Sequence, residues 1–308
     1  MLAALAILAL GAVVLYAGAE AAIRGANRLA RIAGIPAFLI GAVLFGVDIE
    51  GLGTALVAAG RGQTQIAAGE IFGTVLFLFS VAFGLALLVA RDRVPAPAPM
   101  MVVAPAVSMT AAAGALFDHF VSRPEGGFLL ALYVLYLLYI VRENRTLLES
   151  DEETSRPSGT ESRARIALIT LGGLALLYIG ATILVFGGAR LVDRSTLSAG
   201  FVGAAIVGTL ASLDEVLLEV LPVRKGTPDL ATGNLFGTLA AFTTGVLGLA
   251  ALVRPLDVDG AANAAFLGMA FLYAVVSTVF LQRGRAGRLL GGFVLGFYVV
   301  WLVLTANV

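Results

Sequence analysis

Six carboxylates in this chain fall where carboxylates are costly. Asp48 and Glu50 lie in one apolar run and Glu70 in the next, while Asp214, Glu215 and Glu219 share a third that starts near Phe201. A carboxylate at the centre of a bilayer costs about 3 kcal/mol or more, so such groups mark ion or proton pathways by default. Ser212, Asn234, Thr74 and Thr238 stand close to them in sequence. Such an oxygen-rich set suits hard cations: calcium takes about six to eight oxygens, and unwound backbone can supply carbonyls beside the carboxylates. Facing carboxylates resist ionising together, so one can hold a proton once a metal has left. Exchange of a metal cation against protons needs little more. The cation-binding set read from the sequence is therefore Asp48, Glu50, Glu70, Ser212, Asp214, Glu215 and Asn234. Glu50, Glu70 and Glu215 are the ligands of a transported metal such as Ca2+, and Thr74, Thr238 and Glu219 are secondary members.

The elements that must carry these groups are membrane spans. Of 308 residues, 59% are hydrophobic and only 13% charged, and the mean hydropathy is +0.98. Soluble domains carry about 25% charged residues. The class is an all-α polytopic membrane protein. There is no cysteine, which excludes disulfides, thiolate metal sites and cysteine nucleophiles. The one histidine, His119, reads as a solvated loop residue, and a net charge of zero offers nothing to nucleic acid. No basic residue precedes the first apolar run, and Arg24, Arg28 and Arg31 follow it, so it reads as a first span rather than a cleaved signal.

At about 20 apolar residues per span, ten helices are expected: 2–20, 36–60, 65–90, 98–117 and 126–141, then 165–190, 199–222, 229–253, 261–281 and 288–306. Residues 1–141 form the first set and 165–308 the second. Between them, 142–164 is polar and reads as a tether without a core. With the N-terminus outside, the inner loops would hold fifteen Lys and Arg and the outer loops five, as the positive-inside rule requires. The expectation is a multi-pass protein of the cell membrane, monomeric among its lipids, with both termini outside and 142–164 cytoplasmic.

An internal repeat orders the spans. At an offset of 162, Tyr16, Gly18, Gly25, Arg28 and Gly41 recur as Tyr178, Gly180, Gly187, Arg190 and Gly203. Further on the offset becomes 164, so that Gly62, Gly69, Phe72, Gly73 and Thr74 recur as Gly226, Gly233, Phe236, Gly237 and Thr238. An odd number of spans per repeat inverts the second copy. Inverted repeats place a binding site near the midplane, on interrupted helices.

Local geometry sharpens these expectations. On a continuous helix Ser212, Glu215 and Glu219 share one face, whereas Asp48 and Glu50 point apart unless the chain unwinds. Gly46, Gly51 and Gly53, and likewise Gly203 and Gly208, are where such breaks are expected. Thr227-Pro228-Asp229 reads as an N-cap, an N1 proline and a first-turn acid. Gly69 with Gly73 and Gly233 with Gly237 read as seams of close helix approach. Tyr133, Tyr136 and Tyr139 read as a lipid-facing or interfacial stripe, and Glu20 and Glu219 as vestibule residues.

These motifs resemble the cation/calcium exchanger superfamily of sodium/calcium and calcium/proton antiporters. The family has two inverted five-helix repeats, each with GTS-x-PE followed by a basic-Gly turn and GN-x-x-GSN. KGTPDLATGNLFGT from Lys225 is close to the latter, and RGQTQIAAGEIFGT from Arg61 is looser. The resemblance puts Glu215 on the family's ion-binding glutamate and Ser212 on its serine, with Asp214 in place of the proline. In the first repeat an ungapped alignment puts Asp48 on the serine, Glu50 on the proline and Gly51 on the glutamate. A nearby two-residue deletion alternatively moves Glu50 into the glutamate's role. Glu70 and Asn234 take the acid/amide positions and Thr74 and Thr238 the last serine, while Val75 and Leu239 replace its asparagine. Hydroxyls and amides are fewer here and carboxylates more numerous, which favours proton over sodium coupling.

The implied function is a secondary active antiporter exchanging Ca2+ or a similar divalent cation against H+ or Na+, with no enzyme activity and no cofactor beyond the transported ion. Its rivals are a Na+/H+ antiporter on the same scaffold, a transport-inactive membrane scaffold, and an intramembrane metal–diphosphate enzyme. The last needs basic residues near the acids, and none lies within a turn of them.

Overall fold

A computed structural model describes residues 1–32, 48–97, 99–143 and 163–306. Gly46 and the first part of the expected second span lie outside the described residues, as does most of the tether. The helices are α1 (Leu2–Ile32), α2 (Ile49–Gly60), α3 (Thr64–Val89), α4 (Pro99–Ala115), α5 (Arg123–Glu143), α6 (Arg163–Val192), α7 (Ala199–Ala211), α8 (Glu215–Lys225), α9 (Pro228–Val253), α10 (Gly260–Arg283) and α11 (Arg288–Thr305). Seven of them are long and apolar enough to cross a membrane alone, and eight spans result if α7 and α8, bent by 51° at their junction, count as one. The ten-span count further requires α2 and α4, which are too short on the described residues to qualify.

Burial divides the helices into two shells. In α3 and α9, 83% and 78% of the apolar window is buried, against 39%, 33% and 17% in α1, α6 and α5. The inner pair meets through aromatic rings, with Phe79 edge-on to Phe236 at 5.8 Å and Phe236 against Phe280 at 6.2 Å. The outer helices present Leu10, Leu135, Leu171 and Val303 outward, as lipid-facing surfaces do. Tyr133 departs from the expected outward stripe. It is 8% exposed, because a side chain at Gly245 of α9 would stand 2.7 Å from its ring and the glycine there admits it.

The inverted relation is visible in contacts. Gly62, at the start of α3, sits against Arg254 at the end of α9, and the Thr64 hydroxyl donates to Asp257 at 3.2 Å. At the other pole Ala90–Arg93, after α3, share a cavity wall with Val223–Pro228, before α9. The two central helices therefore run antiparallel. Two short ladders obey the same symmetry: β1 (Val94–Pro95) pairs with β4 (Arg285–Ala286), and β2 (Phe120–Val121) with β3 (Leu256–Asp257). Gly62 and Gly226, 164 residues apart, both adopt left-handed φ, at 80° and 82°, where glycine carries no Cβ penalty. Each central helix also widens into a π-helical turn at matching places, Leu78–Ala82 and Ala241–Val246. Hydroxyls of Ser80, Thr243 and Thr244 donate there to carbonyls one turn back.

α1 and α6 form a pair apart. With 31 and 30 residues each is about 45 Å long, well over the roughly 30 Å of a hydrocarbon core, so they cross it tilted. A stripe of glycines seven apart on each makes the seam. A Cβ on Gly11, Gly18 or Gly25 would lie within 2.5 Å of an α6 atom, and one on Gly180 would lie 2.3 Å from the Leu15 backbone. Only glycine allows that approach.

Candidate functional site

The site is assembled at two positions that the repeat makes equivalent, Asp48 and Ser212, which differ by 164 in sequence. At the first, Asp48 is the N-cap of α2, and its Oδ1 accepts from the Gly51 amide at 2.7 Å. At the second, α7 stops at Ala211, Ser212 leaves helical geometry at φ −120° and ψ 26°, and α8 begins at Glu215. The break therefore falls at 212–214, not at Gly203 or Gly208. Those glycines serve packing: a Cβ on Gly203 would stand 2.4 Å from the Ile66 carbonyl and one on Gly208 3.0 Å from that of Glu70. In return, Cβ atoms on Gly69 and Gly73 would be 2.2 Å from α7 backbone. The expected seam holds for this glycine pair. No described backbone comes as close to Gly233 or Gly237.

The break leaves backbone groups that need partners. A continuous helix would join the Asp214 amide to the Leu210 carbonyl and the Leu213 amide to Thr209. Instead, the Tyr16 hydroxyl of α1 donates to the Leu210 carbonyl at 2.7 Å and accepts from the Leu213 amide at 2.7 Å. One phenol thus satisfies two of the four groups, one from each lost bond. Sequence reasoning marked Tyr16 only as a repeat match. Its equivalent, Tyr178, is 58% exposed.

Two clusters follow. In the first, the Ser212 hydroxyl donates to Asp48 Oδ2 at 2.7 Å. Since that uses its one proton, the Thr74 hydroxyl 3.3 Å away is the donor to Ser212. Glu50 is buried beside Asp48, and Glu70 is wholly buried, with the Thr74 hydroxyl within reach but no well-formed hydrogen bond to either carboxyl oxygen among the described residues. A Cβ on Gly51 would stand 2.7 Å from the Phe242 ring, 2.9 Å from Asp48 Oδ2 and 3.1 Å from Glu70 Oε1. Position 51 therefore points into the site, and Phe242, Asp48 and Glu70 together occupy the space that a side chain there would take. In the second cluster, Asn234 Nδ2 donates to Glu215 Oε2 at 2.5 Å and to Glu219 Oε1 at 3.2 Å. Glu219 is fully buried, not in a vestibule. Glu215 and Glu219 share a face of α8, but Ser212 does not, because the break turns it towards Asp48. Asp214 is half-buried at the junction with Oδ1 unpartnered, and Thr238 is buried with a free hydroxyl.

Among the described residues no arginine or lysine lies against these carboxylates; the charges they feel there are one another's. Asp48 is within electrostatic reach of Asp214, Glu50, Glu70 and Glu215, and so links the clusters. Among the described residues, no three acidic or histidine side chains converge tightly enough to hold one ion by themselves. Glu50, Glu70 and Glu215 are accordingly distributed over the two clusters. Glu20 stays outside, in an exposed pair with Arg24 at 2.6 Å. His119 is exposed, as expected of a loop. Thr227 precedes α9 with Pro228 at N1, but its hydroxyl bonds the Pro222 carbonyl and caps nothing.

A family profile described as "Sodium/calcium exchanger protein" matches residues 3–142 and 165–306. The chain belongs to the sodium/calcium exchanger family. It is thus a cation antiporter and not an enzyme, and the metal–diphosphate reading falls away. The chain is 30% identical over 327 residues to the inner membrane protein YrbG of Escherichia coli (strain K12), covering 99% of this chain and 97% of that one. It is 27% identical over 278 residues to the putative antiporter CaxA of Alkalimonas amylolytica, covering 85% and 84%. A structure of the sodium-calcium exchanger NCX_Mj, soaked with Na+ and Sr2+, superposes with a TM-score of 0.61 at 20% identity over 98% of both chains. At that identity the likeness speaks for the fold. Within this exchanger-family fold the α7–α8 break, the Asp48–Ser212 bond and the Asn234 bridge make up the candidate cation site.

Proposed function

We propose that the protein exchanges Ca2+, or a divalent cation of similar hardness, against protons across the membrane, alternating access through the carboxylates of α2, α3 and α8. The observation that carries this reading is uncompensated buried charge. Among the described residues neither Glu70 oxygen makes a well-formed hydrogen bond, the Thr74 hydroxyl is the donor within reach, and no cationic side chain stands near it or its acidic neighbours. Such carboxylates are stable in an apolar interior only when neutralised, and a divalent cation or protons do this interchangeably. Glu70, Asp48 and Glu50 on one side and Glu215 and Glu219 on the other would hold the metal together with carbonyls freed at the break. Asn234 and Ser212 would keep the carboxylates aimed.

Movement would come from the α1–α6 pair, locked together along its glycine seam and tied to the α7–α8 break by Tyr16. The positive-inside count would place both termini outside and the chain would act as a monomer.

The test is 45Ca2+ uptake into proteoliposomes under an imposed pH gradient, with and without sodium, for wild type, Glu70→Gln and Glu215→Gln. Uptake should follow the pH gradient and vanish in both variants. Sodium-driven uptake would keep the site and reverse the coupling ion. A second reading, Na+/H+ exchange, is favoured by the absence of any three converging acids among the described residues. It predicts 22Na+ flux with no calcium uptake. No flux of either ion would leave a transport-inactive scaffold.

A further inference from the structure

At the pole where α3 ends and α11 begins, arginines gather without carboxylate partners. A cavity of about 570 Å³ is walled by Arg91, Arg93, Arg283, Arg285 and Arg288, with Asp92 as its one acid and Leu87, Val279, Leu289 and Leu290 as its apolar side. The volume falls within the roughly 300–1,000 Å³ of small-molecule sites. Arg288 donates to the Ala90 carbonyl at 3.1 Å and so braces the wall. None of the other four forms an ion pair among the described residues, and all four are exposed. A second cavity of about 360 Å³, on the other side of the Arg91–Arg93 connection, adds Arg224 and Lys225. This much like charge in one place repels itself unless an anion sits among it.

The excess of arginine in one set of loops brings these residues to this pole; what it leaves open is how their charge is met, and the opposite pole shows one way. The symmetry-related junction around β2 and β3 carries Asp118, Glu125, Asp257 and Asp259 beside Arg123 and Arg254. There the acids cap chain ends: Asp259 accepts from the Ala262 and Gly200 amides, and Glu125 from that of Ser122. Arg123 meanwhile donates to the Leu252 carbonyl. The pole at β1 and β4 has the same backbone frame with its charges unmatched.

We infer that this cavity binds the phosphate headgroup of an anionic phospholipid. The shared chemistry is a phosphate anion, and the apolar wall decides for a lipid. Leu289, 93% exposed, lies in the first turn of the spanning helix α11 and lines the same cavity as the exposed Arg91, Arg93, Arg283 and Arg285. It sets an open apolar surface beside the guanidiniums, as an acyl chain next to a phosphate requires. Guanidiniums suit phosphate through paired N–H donors.

The test titrates the purified full chain in detergent with dioctanoyl phosphatidylglycerol, dioctanoyl phosphatidylcholine or inorganic phosphate, reading Kd by thermophoresis. Each basic residue near a membrane surface contributes about fivefold to anionic-lipid affinity, so Arg283→Gln with Arg285→Gln should weaken phosphatidylglycerol binding by about 30-fold. Arg194→Gln, at the end of α6, should not change it. The zwitterionic lipid should bind at least about tenfold more weakly than phosphatidylglycerol to the wild-type chain. A photoreactive phosphatidylglycerol should crosslink wild-type protein within 87–93 and 283–290, which needs no variant to fold. Unchanged affinity in the double variant, crosslinks elsewhere, or inorganic phosphate binding as tightly as the lipid would each overturn the assignment.

Discussion

The two halves of the candidate cation site occupy equivalent positions and divide the chemistry differently. In the second repeat the acid at 215 and its companion at 219 come from the helix after the break, and Asn234 of α9 bridges them. In the first repeat the equivalents of 215 and 219 are Gly51 and Ala55, and the equivalent of Asn234 is Glu70. The carboxylate has moved from one helix of the pair to the other, and Phe242, Asp48 and Glu70 together fill the room that Gly51 leaves. One half is therefore bridged by an amide donor, with Glu219 Oε2 left over, while in the other Glu70 makes no well-formed hydrogen bond among the described residues. The difference teaches that the two halves are held differently: the amide fixes the aim of Glu215 and Glu219, whereas Glu70 depends on a cation or a proton to neutralise it.

Glu70→Gln should break the comparison most severely. Metal uptake should fall at least about 100-fold, while the melting temperature stays level or rises, because an unneutralised buried charge is gone. Parallel flux and thermal unfolding measurements check both; a large loss of stability would mean that Glu70 has a hidden partner. The exchange Gly51→Glu with Glu70→Asn, which copies the second half onto the first, should recover part of that flux, and Gly51→Glu alone should not.

Asn234→Ala probes the bridged half. It removes the donor to Glu215 and Glu219, so it should cost about 1–3 kcal/mol of stability and weaken metal affinity about tenfold, measured by metal-dependent thermal shift. Intact affinity would show that the bridge is dispensable for aiming the acids.

The smallest effect sets the two tyrosines against each other. Tyr16→Phe deletes both hydrogen bonds at the α7–α8 break and should cost about 1–2 kcal/mol and slow flux several-fold. Tyr178→Phe, at an exposed position, should do neither. Equal behaviour of the pair in a flux assay would remove Tyr16 from the working of the site.

Much of this was legible along the chain, but the contacts within the site were not. Gly62 and Gly226 signalled the equivalent turns, and the 164-residue offset carried Glu70 onto Asn234. Ser212 was placed on the face of Glu215 because a periodic reading assumes an unbroken helix, and the break at 212–214 has no glycine or proline to announce it. Tyr16 passed as a repeat match, since nothing in its own neighbourhood reveals that a helix 194 residues away will need its hydroxyl. The glycines at 11, 18 and 25 were a signal available in the sequence, a seven-residue spacing that reports close helix packing.

The amino-acid sequence by itself determined the membrane class, the apolar spans, the inverted repeat, the exchanger family and the inventory of acids. Those are properties of composition, period and offset, which survive in one dimension. Only the tertiary structure decided that Ser212 bonds Asp48 across the repeats, that Glu70 is buried without a well-formed hydrogen bond among the described residues, and that Asn234 holds two glutamates. Each of these depends on helices crossing to within about 3 Å of hydrogen-bonding distance. Helix crossings are set by packing over the whole fold, so no local pattern encodes them.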